Sequence, residues 1–107
     1  MKPTPDISVL IPTRNRAESL RDTLRSLVKQ ETGGQLTYEV LVIDNGSSDH
    51  TQTIVEEMSR EAPLSLRYVR EERLGKPYAL NTGMQQAHGT YFAVTDDDAI
   101  PSPAWLL

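Results

Sequence analysis

Cysteine is absent from the 107 residues, which excludes disulfides and any zinc site built on thiolates, and fits a reducing cytoplasm. No apolar run approaches the roughly 20 residues that a membrane span needs. The opening MKPTPDISVLIPTRN has a run too short and flanks too polar for a signal peptide. The expectation is a cytoplasmic segment that is not itself inserted in a membrane, with membrane association left to the full-length protein. Eleven basic residues face 15 acidic ones, a formal net charge of -4, and the cations form no stripe, so no nucleic-acid partner is expected. Internal repeats and low-complexity segments are missing too. What remains, with 37% hydrophobic residues, suits one small domain with a modest core.

The apolar residues fall into an alternating order. Residues 7–11 (ISVLI) are a short run rich in β-branched residues, a first strand that Pro12 is expected to end because proline cannot donate to a ladder. Leu20, Leu24, Leu27 and Val28 then recur at helical spacing, with Asn15 placed as cap and Glu18 as its capping-box partner. Residues 38–43 (YEVLVI) repeat the strand signature. The following DNGSSDHT supplies turn chemistry and a helix cap at Ser48 or Asp49. Ile54, Val55 and Met58 mark the buried face of a second helix, and residues 64–69 alternate as a third strand. GKPYALNTGMQQAHG reads as a third helix, with Pro77 at its first position, His88 in its last turn and Gly89 as its C-terminal cap. Residues 91–94 form a fourth strand. Ser102 and Pro103 then open an amphipathic helix from Ala104 to Leu107, which argues for a fragment whose apolar end, Trp105 with two leucines, is left exposed.

Strand, helix, strand, helix, strand, helix, strand is the α/β pattern of a Rossmann-like, mainly parallel open sheet (βαβαβαβ) with helices on both faces. In such sheets ligands gather beyond the carboxyl ends of the strands, where the strand order reverses. PTRNR, DNGSSD and DDD each end a strand and can face one crevice.

Asp96, Asp97 and Asp98 are adjacent like charges that need something positive nearby. Asp96 and Asp98, one residue apart, can point to one side of an extended turn and offer hard oxygens to Mn²⁺ or Mg²⁺. Such a cation would complete its shell with water and phosphate oxygens, which suggests a diphosphate ligand. The bland alternative is a solvated acidic loop capping the coming helix. Asp97 is expected to accept from a sugar or ribose hydroxyl. Asp44 can accept from a base or ribose held over the sheet edge, or form a turn into NGSSD. Pro12 and Thr13 either wall a base pocket or merely end a strand. Arg14 and Arg16 meet phosphate or water, with Arg16 placed in water. Lys76 beside Gly75, at a helix N-terminus, favours an anion. Asn81 and Gly83 read as packing residues, His50 as a surface residue and His88 as a helix C-terminal charge.

SVLIPTRNRAESLRDTLRSL, YEVLVIDNGSSDHT and LGKPYALNTGMQQAHGTYFAVTDDDAIPSPAWL, in this order and spacing, resemble the N-terminal nucleotide-binding half of family-2 glycosyltransferases with the A-type fold. The likeness covers nearly the whole chain. It implies a truncated A-type domain: residues 1–107 as the nucleotide-sugar-binding part, with the acceptor-binding half absent. It also implies that Asp44 contacts the base, that Pro12 and Thr13 line the base pocket, and that the Asp-x-Asp motif falls on Asp96 and Asp98. In that motif Asp96 touches ribose and sugar, and Asp98 touches the Mn²⁺ or Mg²⁺ bridging the diphosphate.

The implied reaction is inverting transfer from a nucleotide diphosphate sugar, a UDP-sugar being favoured, to a hydroxyl of a sugar, lipid or protein acceptor held by the missing half. The general base lies in that half. A module that binds nucleotide diphosphate and transfers nothing is the main alternative, and the apolar C-terminal residues are candidates for a homo-oligomer contact. A dinucleotide-binding dehydrogenase would want a Gly-x-Gly-x-x-Gly turn where IPTRNR has no glycine. A phosphoacceptor receiver domain would want acids where this chain has arginines.

Overall fold

A computed structural model describes residues 4–30, 36–61, 65–99 and 105–106, with the side chain of residue 61 excepted. The elements are β1 (Ile7–Thr13), α1 (Ala17–Val28), β2 (Tyr38–Asp44), α2 (Thr51–Glu61), β3 (Ser65–Arg70), α3 (Lys76–Gln86) and β4 (Tyr91–Val94). All pairings are parallel, in the order β3-β2-β1-β4. The chain steps outward from β1 to β3, then returns past β1 to β4, so its direction reverses between β1 and β4. Among the described residues no helix is long and apolar enough to cross a membrane.

The period-2 side-chain alternation of central strands divides the core into two layers. Val9, Ile11, Val40 and Val42 pack against Leu20, Leu24 and Leu27 of α1 and Val55 of α2. Leu10, Leu41 and Ile43 face Ala79 of α3 on the other side. The helix that carries the return connection thus sits opposite the two that carry the outward ones, as crossovers of one hand require.

Several local expectations are corrected. Pro12 does not end β1: it pairs in register with Ile43, and Thr13 with Asp44. The ladder to β4 stops at Leu10 and Val94, and the Thr95 N–H donates to the Leu10 carbonyl. Backbone groups alternate sides along a strand, so the N–H that Pro12 lacks would point to where β4 has already finished.

The capping box is not built either. Asn15 is left-handed, at φ 54°, a conformation asparagine tolerates, and its carboxamide oxygen accepts from the Ser48 N–H at 2.7 Å. The N–H of Ala17, at the head of α1, is capped by Asp49 Oδ2 at 3.2 Å. Asp49 Oδ1 also takes the Thr51 N–H, at the head of α2. One carboxylate therefore serves two helix N-termini, and Glu18 pairs with His50 at 2.9 Å.

Pro77 is the second residue of α3, which ends at Gln86 with Ala87 extended. His88 and Gly89 lie beyond the helix, and the His88 N–H donates to Glu39 Oε2 at 2.7 Å. Gly89 is no left-handed cap; it is the close approach of this connection to β1, with its N–H 2.8 Å from Ser8 Oγ.

The expected C-terminal helix falls mostly outside the described residues, as does the expected start of β3 at residue 64. Trp105 and Leu106 form a turn. Leu106 is buried in the α1/α2 layer and its N–H donates to Gln30 Oε1, so only Trp105 of this pair remains exposed.

Candidate functional site

At the carboxyl ends of β1 and β4 lies a cavity of about 370 Å³ lined by Pro12, Thr13, Arg14, Arg16, Asn45, Lys76 and the aspartates 96, 97 and 98. Pro12, Thr13 and Arg14 come from the end of β1 and the turn after it, Lys76 from the head of α3, and the acids from the turn after β4. Apart from Asn45, these are residues the sequence singles out, brought to the place where strand order reverses.

The acidic triplet is not left to repel itself. Asp97 turns inward: its Oδ2 accepts from the Thr13 hydroxyl at 2.8 Å. Its carbonyl accepts from Thr23 Oγ1 at 3.0 Å, and the same hydroxyl reaches the Ala99 carbonyl at 2.6 Å. These bonds pin the loop to β1 and α1. Asp96 and Asp98 turn outward. Lys76 Nζ stands 3.3 Å from Asp96, and Arg16 Nη1 stands 3.4 Å from Asp98 and 3.7 Å from Asp97. Arg16, expected in water, therefore belongs to the site.

Asp44 lies outside the cavity wall. It is buried, and Oδ1 accepts from the Ser47 N–H at 2.8 Å. Oδ2 accepts from the Tyr68 hydroxyl at 2.6 Å and lies 3.5 Å from Arg70 Nη1. Burial, followed by donation to Asp44, pushes the Tyr68 phenol up to about 12. The neighbour that does line the cavity is Asn45, which sequence reasoning passed over.

Asn45 Nδ2 donates to the carbonyls of Glu71 at 3.0 Å and Arg73 at 2.8 Å. Oδ1 accepts from the Gly75 N–H at 2.8 Å, and the Asn45 backbone N–H donates to the Thr13 carbonyl. One residue, through backbone and side chain together, thus ties the ends of β1 and β2 to the loop that launches α3 and Lys76. Glu71 stiffens that loop. It accepts from Arg73 Nη2 at 2.8 Å and from the Thr82 hydroxyl at 2.6 Å, and these bonds, Arg73 foremost, hold its carboxyl down at about 2. Arg73 stacks on Tyr78, 4.9 Å from the ring centroid. The only sequence signal for Asn45 is its position one residue past the strand.

The carboxamide donates through Nδ2, which a carboxylate cannot do. Asn45→Asp would set oxygen against two carbonyl oxygens, and the expected loss is about 1–3 kcal/mol. It is read as a lowered urea midpoint at unchanged slope.

Among the described residues no three His, Cys, Asp or Glu side chains gather as a metal cage. The donor set nonetheless fits a hard divalent ion held by one or two carboxylates. Asp96 and Asp98 are oxygen donors on one turn with 66% and 58% of their side chains exposed, and a shell of that kind is completed by water and phosphate.

The model of the family described as glycosyl transferase family 2 matches residues 8–107. The chain belongs to that family. A glycosyltransferase of Haloferax volcanii, AglE, is 37% identical over 102 residues, which are 95% of this chain and 33% of AglE. The mannosyltransferase PcManGT from Pyrobaculum calidifontis, solved with GDP-Man and Mn²⁺, superposes with a TM-score of 0.84 at 34% identity, over 97% of this chain and 30% of that one. S. aureus TarS 1-349 in complex with UDP gives 0.80 at 31% identity, over 94% and 30%. The chain thus spans about a third of the length of these proteins, and its fold is that of the glycosyltransferases among them.

Proposed function

We infer that this chain is the donor-binding part of a longer glycosyltransferase: it holds a nucleotide diphosphate sugar at the mouth of the sheet while an acceptor hydroxyl attacks the anomeric carbon with inversion. The observation that carries the reading is the convergence of Lys76, Arg14, Asp96 and Asp98 on one cavity at the strand-order reversal. The reading is supported by relatives solved with GDP-Man and with UDP. Pro12 and Thr13 form one wall for the base and ribose. Arg14 and Lys76 face the diphosphate, Lys76 with the α3 N-terminus behind it. Asp97 holds the loop in place through Thr13, and Asp44 acts from behind the wall by fixing the turn after β2.

Asp96 and Asp98 would hold Mn²⁺ or Mg²⁺, which when bound supplies Lewis-acid stabilisation of the charge on the departing diphosphate. The acceptor proton goes to a base outside this cluster, since carboxylates engaged with cations are poor proton acceptors. The acceptor, whether sugar, lipid or protein, is assigned to the remainder of the longer protein.

Thermal unfolding with Mn²⁺, UDP and both tests the donor site. Binding to the folded state at a hundredfold over the dissociation constant stabilises by about 2.7 kcal/mol, roughly 10–20 °C for a domain of this size. The joint shift is expected to exceed either single one, and Asp98→Asn is expected to lose the joint increment. Equal shifts in parent and variant would take Asp98 out of the site. GDP in place of UDP reads the base preference. A module that only binds predicts the same shifts, and is distinguished by whether the full-length protein transfers sugar to an acceptor.

A further inference from the structure

The carboxylates assigned above to a divalent ion already have counter-ions. Lys76 takes Asp96 at 3.3 Å, and Arg16 straddles Asp98 at 3.4 Å and Asp97 at 3.7 Å. The two cations come from different places, the head of α3 and the residue just before α1, and they approach the turn after β4 separately. The exposure pattern decides what these pairs can do. Lys76 and Arg16 keep 57% and 58% of their side chains in water, as do 66% of Asp96 and 58% of Asp98, whereas Asp97 keeps 11%. Solvated pairs of that kind contribute little to stability, yet they offset two of the triplet's three charges and are weak enough to exchange. Asp97, buried on Thr13, stays where it is.

We propose that Lys76 and Arg16 are resident counter-ions that gate the acidic turn, so that divalent cation and nucleotide diphosphate are taken up together and not one at a time. This rests on the donor-site reading above. With no nucleotide present, a divalent ion must displace or sit beside two positive charges to reach Asp96 and Asp98, and its apparent affinity is lowered. A diphosphate carries the negative charge that draws the ammonium and guanidinium off the aspartates. The same side chains then bind phosphate while the freed carboxylates face the metal. Each ligand removes an obstacle to the other, and linkage requires the coupling to be equal in both directions. Lys76 and Arg16 are on this account ligand-binding cations whose charge is exchanged between two partners.

The consequence runs against the usual result of removing a contact residue. Lys76→Met and Arg16→Met are expected to bind Mn²⁺ alone more tightly than the parent, by roughly two- to tenfold, since a unit positive charge a few ångströms from a divalent ion is removed from a partly solvated site. At saturating Mn²⁺ the same variants are expected to bind UDP more weakly. The ratio of Mn²⁺ dissociation constants without and with UDP therefore falls, and Lys76→Arg restores it. Titration calorimetry, with electron paramagnetic resonance counting free Mn²⁺, reads all of these without any turnover. Because both residues are more than half exposed, the variants are expected to keep the parent's unfolding midpoint, which calorimetry on the same samples verifies. Mn²⁺ affinity that is unchanged or weakened in both variants, with parental UDP coupling intact, overturns the gating while leaving the donor site standing. A parent that takes up no Mn²⁺ even with UDP present overturns both.

Discussion

Glu39→Ala is expected to cost about 3 kcal/mol of stability, a large share of the 5–15 kcal/mol typical of a domain. Glu39 is a buried carboxylate on β2, with its oxygens engaged from three directions: the Ser8 hydroxyl at 2.6 Å, the His88 N–H at 2.7 Å and Arg67 Nη2 at 3.1 Å. Burial pushes its pKa up, but these bonds together outweigh burial and hold it below the ordinary 4.5. Alanine strands the Ser8 and His88 donors and leaves the Arg67 charge alone. Breaking a buried pair in this way costs about 3–5 kcal/mol. The lower end applies because Arg67 keeps 32% of its side chain in water and can rehydrate. Glu39→Gln retains an oxygen for those donors and is expected to lose much less. The check is the urea midpoint of each variant at neutral pH.

The same group sets an acid response. A carboxylate whose folded pKa lies below its unfolded value stabilises fully above the unfolded value, here 4.5, and loses that contribution as pH falls through the folded one. Glu71, held at about 2, behaves likewise. Stability is therefore expected to fall between about pH 4.5 and 2, less steeply in Glu39→Ala than in the parent.

Gly89→Ala is the second large effect, and it falls on the same cluster. A Cβ there would lie 2.5 Å from Ser8 Oγ, 2.6 Å from Ser8 N and 2.8 Å from the Ile7 carbonyl carbon. Two of these atoms are backbone of a central strand and cannot yield without moving the sheet. The expected cost is at or above the roughly 1–3 kcal/mol of ordinary over-packing. Gly83 offers the contrast: its Cβ would meet Ile43 Cδ1 at 2.8 Å, a side-chain end that can rotate, and alanine is the better helix former. Gly83→Ala should therefore lose clearly less, and equal losses at the two glycines would contradict the close-approach account. Ser8 serves both Glu39 and Gly89, so the two substitutions combined should cost less than their sum.

The elements themselves were legible because their signals are local. Residues 7–11, 38–43 and 91–94 are β-branched or aromatic runs, and each became a strand. Leu20, Leu24 and Leu27 at helical spacing all became buried. The errors occur where a residue's partner is distant in sequence. Asn15 carries a cap residue's chemistry but spends it on Ser48, while the real cap of α1 is Asp49, 32 residues on. Gly89 looks like a helix stop, yet what demands glycine is β1, more than eighty positions earlier. Asp44 does end β2, and its neighbours there, Tyr68 and Arg70, come from the adjacent strand and are likewise distant in sequence.

The sequence by itself determined the alternation of strands and helices, the family, and the set of residues at strand ends, because hydrophobic period and turn chemistry act over a few residues. The tertiary structure alone decided that β4 returns beside β1, that Asn45 and not Asp44 faces the cavity, and that Lys76 and Arg16 sit on the acidic turn. Those outcomes depend on parallel pairing across long crossovers, where burial and charge are settled between groups that the chain order keeps apart.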